Sequence, residues 1–378
     1  MKPTVLIVGA GVIGCSLAYE LTLRGAGVTI IDAAEALSGT SSATFAWVNS
    51  NDKEPADYEF LNVLGLRAHE RARNSRDLGE RDWFHQTGNL QLAATDEEMA
   101  ALEKKVNHLT SIDYEAAILT RAQVEGLEPT LNSTGVKGGA LYPKEGWIDT
   151  MTMCSRLLNM AREAGAEFIP YQYVTELKPD GRVTATTADG TVRQHAADVT
   201  ILAAGNGNRG ILATIGVDFP TQPASGDGAA GADPTVGLIA TTGPVASGIT
   251  RVIHAPGISI RPARNGGVAF SDSSTGAQWQ LNDPRIWTVP GTLLERAQAL
   301  YPSLNNATTA TVTLGTRVLP KDGVTISDWV AGTTSIYAIA THSGVTLAAH
   351  LATVVADEVV RGERHDSLRP FSLSRFSS

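Results

Sequence analysis

The first thirty-two residues place a short strand, a glycine-rich turn, a helix and a second strand in direct succession. Thr4 to Val8 is a mainly apolar run, followed at once by the turn Gly9-Ala10-Gly11-Val12-Ile13-Gly14. A helix is predicted over Cys15 to Leu23, and a second strand over Val28 to Ile31 ends on Asp32. This order predicts a βαβ unit that binds a dinucleotide at the start of its helix.

Each glycine of the turn meets a different physical requirement. Gly9 allows the sharp exit from the strand, Gly11 lets a pyrophosphate approach the backbone, and Gly14 lets the helix pack closely on the sheet. The backbone N–H groups around Val12 and Ile13, with the positive end of the helix dipole, can then hold a diphosphate. A chance glycine-rich turn is the alternative, but the strands, helix and acid around this one favour a dinucleotide site.

Asp32 provides the acid that such a site uses for its ribose. It lies 18 positions after Gly14, close to the usual spacing of a carboxylate that accepts hydrogen bonds from ribose hydroxyls. An acid here disfavours a 2′-phosphate and therefore NADP. It does not distinguish FAD from NAD.

Composition and charge limit the class of protein. A chain of 378 residues is expected to form about two domains. A net charge of −9 without a basic tail argues against nucleic acid as a partner. No run reaches the ~18 apolar residues of a membrane span, and the apolar N-terminal run holds the glycine turn, so it is not a signal peptide. The two cysteines, Cys15 and Cys154, cannot form a disulfide framework, so a reducing cytoplasm is the expected location.

Later segments of the chain are predicted to add further strands to the first sheet, after other strands that belong to a different sheet. A buried strand over 197–205 ends in Ala203-Ala204-Gly205, another strand is predicted over 335–340, and a last long helix over 346–360. Between these segments, the pair Asp189-Gly190 predicts a hairpin, and the other strands look antiparallel.

The expected fold class is therefore α/β (α+β), with two interleaved domains. A Rossmann-like domain is predicted to interleave with a substrate domain built on a mainly antiparallel β-sheet. The predicted boundaries are 1–85, 146–215 and 315–378 for the first domain, and 86–145 and 216–314 for the second.

A series of motifs in fixed order runs over nearly the whole chain. Besides the glycine turn, these are the hydroxylic loop through Ser41-Ser42, residues 87–93, 146–149 and 198–205, the most specific segment 315–323 (GTRVLPKDG), 342–348 and 368–376. With these motifs the chain resembles the FAD-dependent oxidoreductases related to D-amino-acid oxidase, glycine oxidase and sarcosine oxidase.

The resemblance implies FAD as the cofactor and a set of residues around it. Val174 would meet the adenine through backbone groups, and the Gly344 region would present N–H groups to the pyrimidine end of the flavin. Donors there stabilise the negative charge of a reduced flavin. The implied cofactor residues are Gly9, Gly11, Val12, Ile13, Gly14, Asp32, Ala33, Ser41, Ser42, Ala43, Val174, Ala203, Ala204, Gly205, Arg317, Ser343, Gly344, Val345 and Thr346.

The resemblance also implies that FAD is not covalently bound. Some relatives attach the flavin through Cys or His. Here the corresponding late position is Arg317, and residues 38–50 contain neither residue type. On residues alone, the hydroxylic segment 38–43 is equally well explained as a simple loop that caps the next helix.

Three residues are candidates for the reaction itself. Arg317 occupies the family position that often binds a substrate carboxylate, which a bidentate guanidinium suits; the alternative is a structural arginine paired with an acid such as Asp322. His342 can lie near the flavin or substrate, or serve only the helix start. Trp47 corresponds to a side chain near the reactive edge of the flavin, with packing as the rival role. Arg261 is expected to be an exposed or ion-paired arginine.

The expected reaction is oxidation of a C–N bond in an amino acid or amine, with O2 or an electron carrier as acceptor and no metal. The rivals are oxidation of a 2-hydroxy acid with His342 as base, a flavin-binding subunit without turnover, and an NAD enzyme with a coincidental match. An oxidase is slightly favoured over a dehydrogenase. The loop 224–248 and the segment 272–287 are expected to shape the pocket.

Overall fold

The strands form two large sheets and two small ones within the part of the chain that the structure describes. The structure is a computed structural model and describes residues 2–74, 82–224, 233–276, 278–333 and 335–376. The larger sheets are a six-stranded one that is mostly parallel and an eight-stranded one that is mostly antiparallel. The predicted class, an α/β fold with a Rossmann-like part interleaved with an antiparallel part, is confirmed.

The elements alternate along the chain. The strands are β1 (Thr4–Val8), β2 (Gly27–Ile31), β3 (Trp47–Val48), β4 (Phe84–His85), β5 (Asn89–Ala93), β6 (Ala117–Thr120), β7 (Gly138–Tyr142), β8 (Gly146–Ile148), β9 (Glu167–Ile169), β10 (Tyr173–Leu177), β11 (Val183–Thr186), β12 (Val192–His195), β13 (Val199–Leu202), β14 (Val236–Thr242), β15 (Val252–Ala255), β16 (Ile258–Pro262), β17 (Val268–Ser271), β18 (Thr309–Thr316), β19 (Ile326–Trp329) and β20 (Ile336–Ala340). The helices are α1 (Val12–Leu23), α2 (Ala56–Asn74), α3 (Asp96–Ser111), α4 (Arg121–Leu127), α5 (Thr150–Glu163), α6 (Gly207–Ala213), α7 (Ser273–Gly276), α8 (Val289–Leu300) and α9 (Gly344–Arg361).

The six-stranded sheet has the order β19-β20-β13-β1-β2-β9. All its neighbours pair in parallel except β19 and β20. β1 is buried from Val5 to Val8, as expected for a central strand with both faces covered. Because the strands are parallel, the carboxyl ends of β1, β2, β13 and β20 meet at one edge, where ligands bind in open sheets of this kind.

The eight-stranded sheet has the order β18-β14-β17-β16-β15-β5-β7-β6. Its one parallel pair, among the described strands, joins β15 to β5 and brings the 89–93 segment beside the 252–255 segment. The boundaries of the two domains stay a prediction, although β5, β6, β7, β14, β15, β16 and β17 all fall in the ranges predicted for the substrate domain.

Helices α1, α5, α9 and α2 cover one side of the parallel sheet and share one apolar core. Gly65 permits the close packing of α2 on α9, since a Cβ there would lie 2.5 Å from the carbonyl oxygen of Thr346. That contact holds the start of α9 against α2. No helix among the described residues is long and apolar enough to span a membrane.

Several predicted elements need small corrections. Helix α1 begins at Val12, three residues before the predicted Cys15, because the glycine turn itself supplies its first residues. Helix α9 begins at Gly344 and ends at Arg361, slightly beyond the predicted range. The hairpin at Asp189-Gly190 is confirmed by the antiparallel pairing of β11 and β12. Within the loop 224–248 that was expected to shape the pocket, residues 225–232 lie outside the described residues, as does residue 277 of the segment 272–287.

Candidate active site

A large cavity lies between the carboxyl edge of the parallel sheet and one face of the antiparallel sheet. Its volume is about 1220 Å³, larger than the roughly 300–1,000 Å³ of ordinary small-molecule sites. From the predicted site residues it is lined by Gly9, Gly11, Val12, Ile13, Asp32, Ala33, Ser41, Ala43, Trp47, Val174, Ala203, Ala204, Gly205, Arg317, His342, Ser343, Gly344, Val345 and Thr346. The cavity therefore collects nearly all of them, and only Gly14 and Ser42 of that set are not in its wall.

The glycine turn opens the first helix toward this cavity. A Cβ on Gly9 would lie 2.5 Å from the carbonyl oxygen of Ala203, and one on Gly14 would lie 1.8 Å from that of Gly9. These close approaches pack the turn on the sheet, which is the role predicted for Gly14. Among the described residues, no hydrogen-bond partner is found for the N–H groups of Gly11 and Ile13. The turn therefore offers backbone donors at a helix start, the arrangement that binds a diphosphate.

Asp32 braces the same turn while it faces the cavity. Its Oδ2 accepts from the N–H of Ala10 at 2.7 Å, and its Oδ1 accepts from Ala34 at 3.0 Å. Each carboxylate oxygen can accept more than one hydrogen bond, so acceptor capacity remains for ribose hydroxyls. Ala33, the next residue, lines the cavity beside it.

The hydroxylic loop contributes one serine to the turn and keeps the other away. Ser41 Oγ accepts from the N–H of Val12 at 2.9 Å and lies 3.0 Å from where a Cβ on Gly11 would be. Ser42 is exposed, and its hydroxyl donates to the carbonyl of Gly39 at 2.9 Å. The structure thus places Ser41, but not Ser42, against the open N–H groups.

Loop 38–43 contacts segment 315–323, the most specific of the sequence motifs. A Cβ on Gly315 would lie 2.6 Å from the Cβ of Ala43, and Thr40 Oγ1 donates to the carbonyl of Thr316 at 2.6 Å. Gly315 is therefore required for close approach between loop 38–43 and β18. This contact carries Arg317 to the cavity wall.

The opposite wall is formed by the end of β13 and by β10. Ala203 donates its N–H to Val8 at 2.8 Å, and Ala204 donates to Asn208 Oδ1 at 2.9 Å, so both are fixed by the sheet and by α6. Gly205 has φ +59°, a conformation that side chains rarely adopt. Val174 lines the same end of the cavity. Small side chains at 203–205 leave room for a flat aromatic group there.

The start of α9 forms another wall. In the described residues, the N–H groups of Gly344, Val345 and Thr346 have no hydrogen-bond partner. An eighteen-residue helix therefore directs the positive end of its dipole at the cavity. Ser343 also lines the cavity, and its hydroxyl accepts from Tyr58 at 2.8 Å.

His69 fixes the start of α9 from behind. Its Nε2 donates to the carbonyl of Val345 at 2.9 Å, and the residue is 1% exposed. Burial lowers the pKa of His69 to about 4, so the ring is neutral at physiological pH. A neutral histidine can hold this carbonyl without adding charge to the core.

Arg317 follows β18 directly and lines the cavity. Its Nη1 donates to the carbonyls of Pro234 at 2.8 Å and Val236 at 2.6 Å, which fixes the plane of the guanidinium. Burial lowers the pKa of Arg317, and the charges of Asp233 and Asp272 oppose that shift. The group remains a cation, as arginine does in proteins. An anchored cation in a cavity wall is suited to binding an anionic group of a ligand.

The acid considered as a structural partner of Arg317 is engaged elsewhere. Asp322 pairs instead with Arg375, with 2.7 Å between Nε and Oδ2. Because the C-terminal segment occupies Asp322, the ion pair considered for Arg317 does not form.

His342 lies just before α9 and is exposed to the cavity. Burial among protein atoms, together with the positive charges of Lys53 and Arg317, nevertheless lowers the pKa of His342 to about 4. The three side chains therefore lie close enough to influence one another. His342 is neutral at physiological pH.

Trp47 is held by a buried carboxylate. Its indole Nε1 donates to Glu145 Oε2 at 2.8 Å. Glu145 is fully buried and also accepts from Asn51, Asn89 and Tyr114, at 3.0, 2.9 and 2.6 Å. Burial raises the pKa of Glu145 to about 7, although these four donors favour the ionised form. Trp47 is thus fixed by a specific hydrogen bond and not by packing alone.

The same carboxylate orients a histidine in the cavity wall. Asn89 Nδ2 donates to Glu145, so Asn89 Oδ1 is the acceptor for His254 Nδ1 at 2.9 Å. His254 Nδ1 therefore carries the proton and Nε2 is the acceptor of the ring, because burial lowers the pKa of His254 to about 4. The ring of His254 lies 4.2 Å from that of Trp47.

The prediction that Arg261 is exposed or ion-paired is wrong. It is 9% exposed, and no ion pair of its side chain is found among the described residues. The guanidinium lies 4.5 Å from the ring centre of Trp147, and Nε donates to the carbonyl of Phe45 at 2.6 Å. A cation over an indole face replaces the expected carboxylate, which the strand pattern could not reveal. Burial lowers the pKa of Arg261 to about 10.

Three polar residues of the site were not predicted from the sequence. Lys53 and His254 line the cavity, and Glu145 lies behind it. Glu145 directly precedes the 146–149 motif, and an acid at the start of a fully buried strand was the available sign. Lys53 and His254 carry no motif, and only the folding of separate segments brings them together.

The cavity fits a flavin dinucleotide. Unpaired backbone donors at two helix starts, a ribose-type acid and a wall of small residues lie around one continuous space. No group of His, Cys, Asp or Glu in the described residues could hold a metal ion.

Comparisons with known proteins identify the family of this chain. The family described as "FAD dependent oxidoreductase" (DAO) matches residues 4–358. An opine oxidase subunit of Agrobacterium tumefaciens is 25% identical over 98% of this chain and 96% of its own length. Glycine oxidase of Geobacillus kaustophilus is 26% identical over the same shares, and its crystal structure superposes with a TM-score of 0.82 over 99% of both chains at 24% identity. The crystal structure of iminodiacetate oxidase from Chelativorans superposes with a TM-score of 0.80 at 22% identity, over 97% of this chain and 98% of the other.

The family match covers residues 4–358 and therefore shows which family the chain belongs to. The cavity also supplies the groups that binding of FAD, the cofactor of this family, requires. This protein belongs to the DAO family of FAD-dependent oxidoreductases, and FAD is its cofactor.

Proposed function

We propose that this enzyme oxidises the C–N bond of an amino acid or amine to an imine, with the substrate carboxylate bound by Arg317 and the flavin bound non-covalently. The single observation that carries the proposal is the anchored guanidinium of Arg317 in the wall of the cofactor cavity, beside the helix start of α9. Relatives named glycine oxidase and opine oxidase support the reaction class.

The cofactor would be held along the cavity by groups already described. The N–H groups of the glycine turn would bind the diphosphate, Asp32 the ribose, and Val174 with residues 203–205 the adenosine side. The N–H groups of 344–346 would face the pyrimidine end of the flavin. When bound, FAD supplies the acceptor for the hydride that leaves the substrate α-carbon, and O2 or a carrier removes the electrons.

The chain itself would orient the substrate and exclude water. Arg317 binds the carboxylate, and this contact fixes the α-carbon relative to Trp47. The nitrogen lone pair forms the C=N bond as the hydride departs, so the substrate must enter as the neutral amine. The imine is then hydrolysed by water to a carbonyl compound and an amine or ammonia. Because the amine already lacks its proton, no protein base is required.

The test is anaerobic mixing of the yellow holoenzyme with paired compounds that do or do not carry a carboxylate. Amino acids should bleach the flavin much faster than the matching amines, and Arg317→Met should remove most of that difference. Bleaching by amines and amino acids at equal rates would contradict the role of Arg317.

Oxidation of a 2-hydroxy acid is the second candidate, because His342 is neutral and faces the cavity. That reaction needs a base for the hydroxyl proton. Bleaching by a 2-hydroxy acid that His342→Ala abolishes would favour it over amine oxidation. A flavoprotein that none of these compounds reduces would instead be a non-catalytic subunit.

We favour O2 as the acceptor and a cytoplasmic location as proposals that follow from the sequence.

A further inference from the structure

Lys53 is a cation in the cavity wall without a partner of its own among the described residues. Its side chain is partly buried and lines the same cavity as Arg317 and His342. Across the ranges that the structure describes, no hydrogen bond or salt bridge of the Lys53 ammonium group is found. A buried ammonium group normally has an anionic or hydrogen-bonding partner, since burying a lone charge is costly.

The acids that face Lys53 are already engaged. Asp52 pairs with Lys105, with 2.6 Å between Oδ2 and Nζ. Glu145 accepts four hydrogen bonds from Trp47, Asn51, Asn89 and Tyr114. Both charges act on Lys53 only at longer range. The protein therefore leaves this cation to be paired by a ligand.

Two separate cations thus border one cavity. Lys53, Arg317 and His342 all line this cavity, and the charges of Lys53 and Arg317 both lower the pKa of His342. Arg317 is the proposed site of the substrate's α-carboxylate. A substrate with one carboxylate would satisfy Arg317 and leave Lys53 unpaired.

We propose that the substrate is a secondary amine with two carboxylates, an amino acid whose nitrogen carries a carboxyalkyl group, and that Lys53 binds the second carboxylate. The secondary nitrogen lies between the two carboxylates in such a compound, so each carboxylate can pair with one of the two cations that line the cavity. This inference rests on the proposed function for the identity of the bond that is oxidised. The relatives named opine oxidase and iminodiacetate oxidase are consistent with it.

The binding test uses compounds that cannot form an imine. Thiodiacetate has two carboxylates and (methylthio)acetate has one, and a thioether replaces the amine in both. Isothermal titration calorimetry on the FAD-loaded enzyme should show thiodiacetate binding about tenfold more tightly, the size of one charge-assisted hydrogen bond. Lys53→Met should bring the two affinities together, Lys53→Arg should keep most of the difference, and the exposed control Lys104→Met should keep all of it.

The turnover test uses two substrates of the same shape. Iminodiacetate and its monoamide, N-(carbamoylmethyl)glycine, differ by one charge. Iminodiacetate should reduce the flavin with a kcat/KM at least about tenfold higher in the parent enzyme. In Lys53→Met this ratio should approach one through the loss with iminodiacetate, while the monoamide changes little.

Three results would overturn the inference. The first is equal affinity of the parent enzyme for thiodiacetate and (methylthio)acetate, and the second is an unchanged preference for thiodiacetate in Lys53→Met. The third is an equal loss of kcat/KM with iminodiacetate and its monoamide in Lys53→Met, which would place Lys53 at the flavin instead. Failure of the proposed function looks different: thiodiacetate would still bind through Lys53, but no amine or amino acid would reduce the flavin.

Discussion

The indole Nε1 of Trp47 donates a 2.8 Å hydrogen bond to Glu145, a fully buried carboxylate that also orients Asn89 behind His254. One acid therefore fixes two aromatic rings of the cavity wall. Neither ring would be held in the same way by apolar packing, because the network sets rotation as well as position.

Replacing Glu145 by Gln should disrupt both rings. An amide offers one acceptor oxygen and adds donors, so at least two of the four donors would be left unsatisfied. We expect a loss of about 2–4 kcal/mol in the free energy of unfolding and a fall of at least about tenfold in kcat/KM. Chemical denaturation and steady-state kinetics measure the two effects. Tyr114→Phe is the matched control, as it removes one donor and should cost about 1–2 kcal/mol; an equal cost for both variants would contradict the network.

Replacing Arg317 by Met should affect substrates according to their charge. For amino acids we expect kcat/KM to fall by about 100-fold or more, because a bidentate charge-assisted contact is lost. Amines without a carboxylate should change by less than about threefold. Arg317→Lys should recover only part of the activity, since an ammonium group cannot bind a carboxylate in a bidentate way. A uniform loss over all substrates would show that Arg317 serves the fold.

The stability of the protein should depend on pH through His69. The pKa of His69 is about 4 in the folded protein, below the ordinary value of 6.5, so the unfolded chain binds the proton more tightly. Its contribution is fully present above pH 6.5 and is lost as the pH falls toward 4, by about 3 kcal/mol. His69→Gln can still donate to Val345 but does not titrate. Urea unfolding at a series of pH values should show a shallower decline for this variant, and parallel curves would contradict the prediction.

Gly14→Ala should prevent the glycine turn from forming. The new Cβ would lie 1.8 Å from the backbone oxygen of Gly9, which cannot move without displacing β1. We expect a loss of several kcal/mol in stability and no retained FAD. Gly126→Ala is the control, because its Cβ would meet no atom within 4 Å and should stabilise helix α4 by up to about 1 kcal/mol. Thermal unfolding and the flavin absorbance of the purified variants provide the measurements.

The nucleotide end of the site could be predicted from sequence because its parts are adjacent in the chain. Gly9 to Gly14 and Asp32 lie within one βαβ unit, and local spacing sets their geometry. Arg317 could be placed by resemblance because it is part of a motif. In both cases the residues that indicate the function lie close together in the sequence.

The end of the cavity near Lys53, which we propose binds the substrate, could not be predicted in the same way. Lys53 and His254 line the cavity and Glu145 lies behind Trp47, and the tertiary fold alone brings these three distant segments together. The prediction for Arg261 was wrong for a related reason, since its partner is the face of Trp147, more than 100 residues away in the chain. Hydrophobic periodicity reports which face of a strand is buried, but it does not report what lies opposite.

Oxidation of a C–N bond by the bound flavin can be tested with the visible spectrum of the purified protein, recorded anaerobically before and after the addition of amino acids, N-substituted amino acids and 2-hydroxy acids. We predict flavin bands that an amino acid with a primary or secondary amine bleaches, and whose recovery in air separates an oxidase from a dehydrogenase. Flavin bands that only 2-hydroxy acids bleach, or that no compound bleaches, would contradict oxidation of a C–N bond.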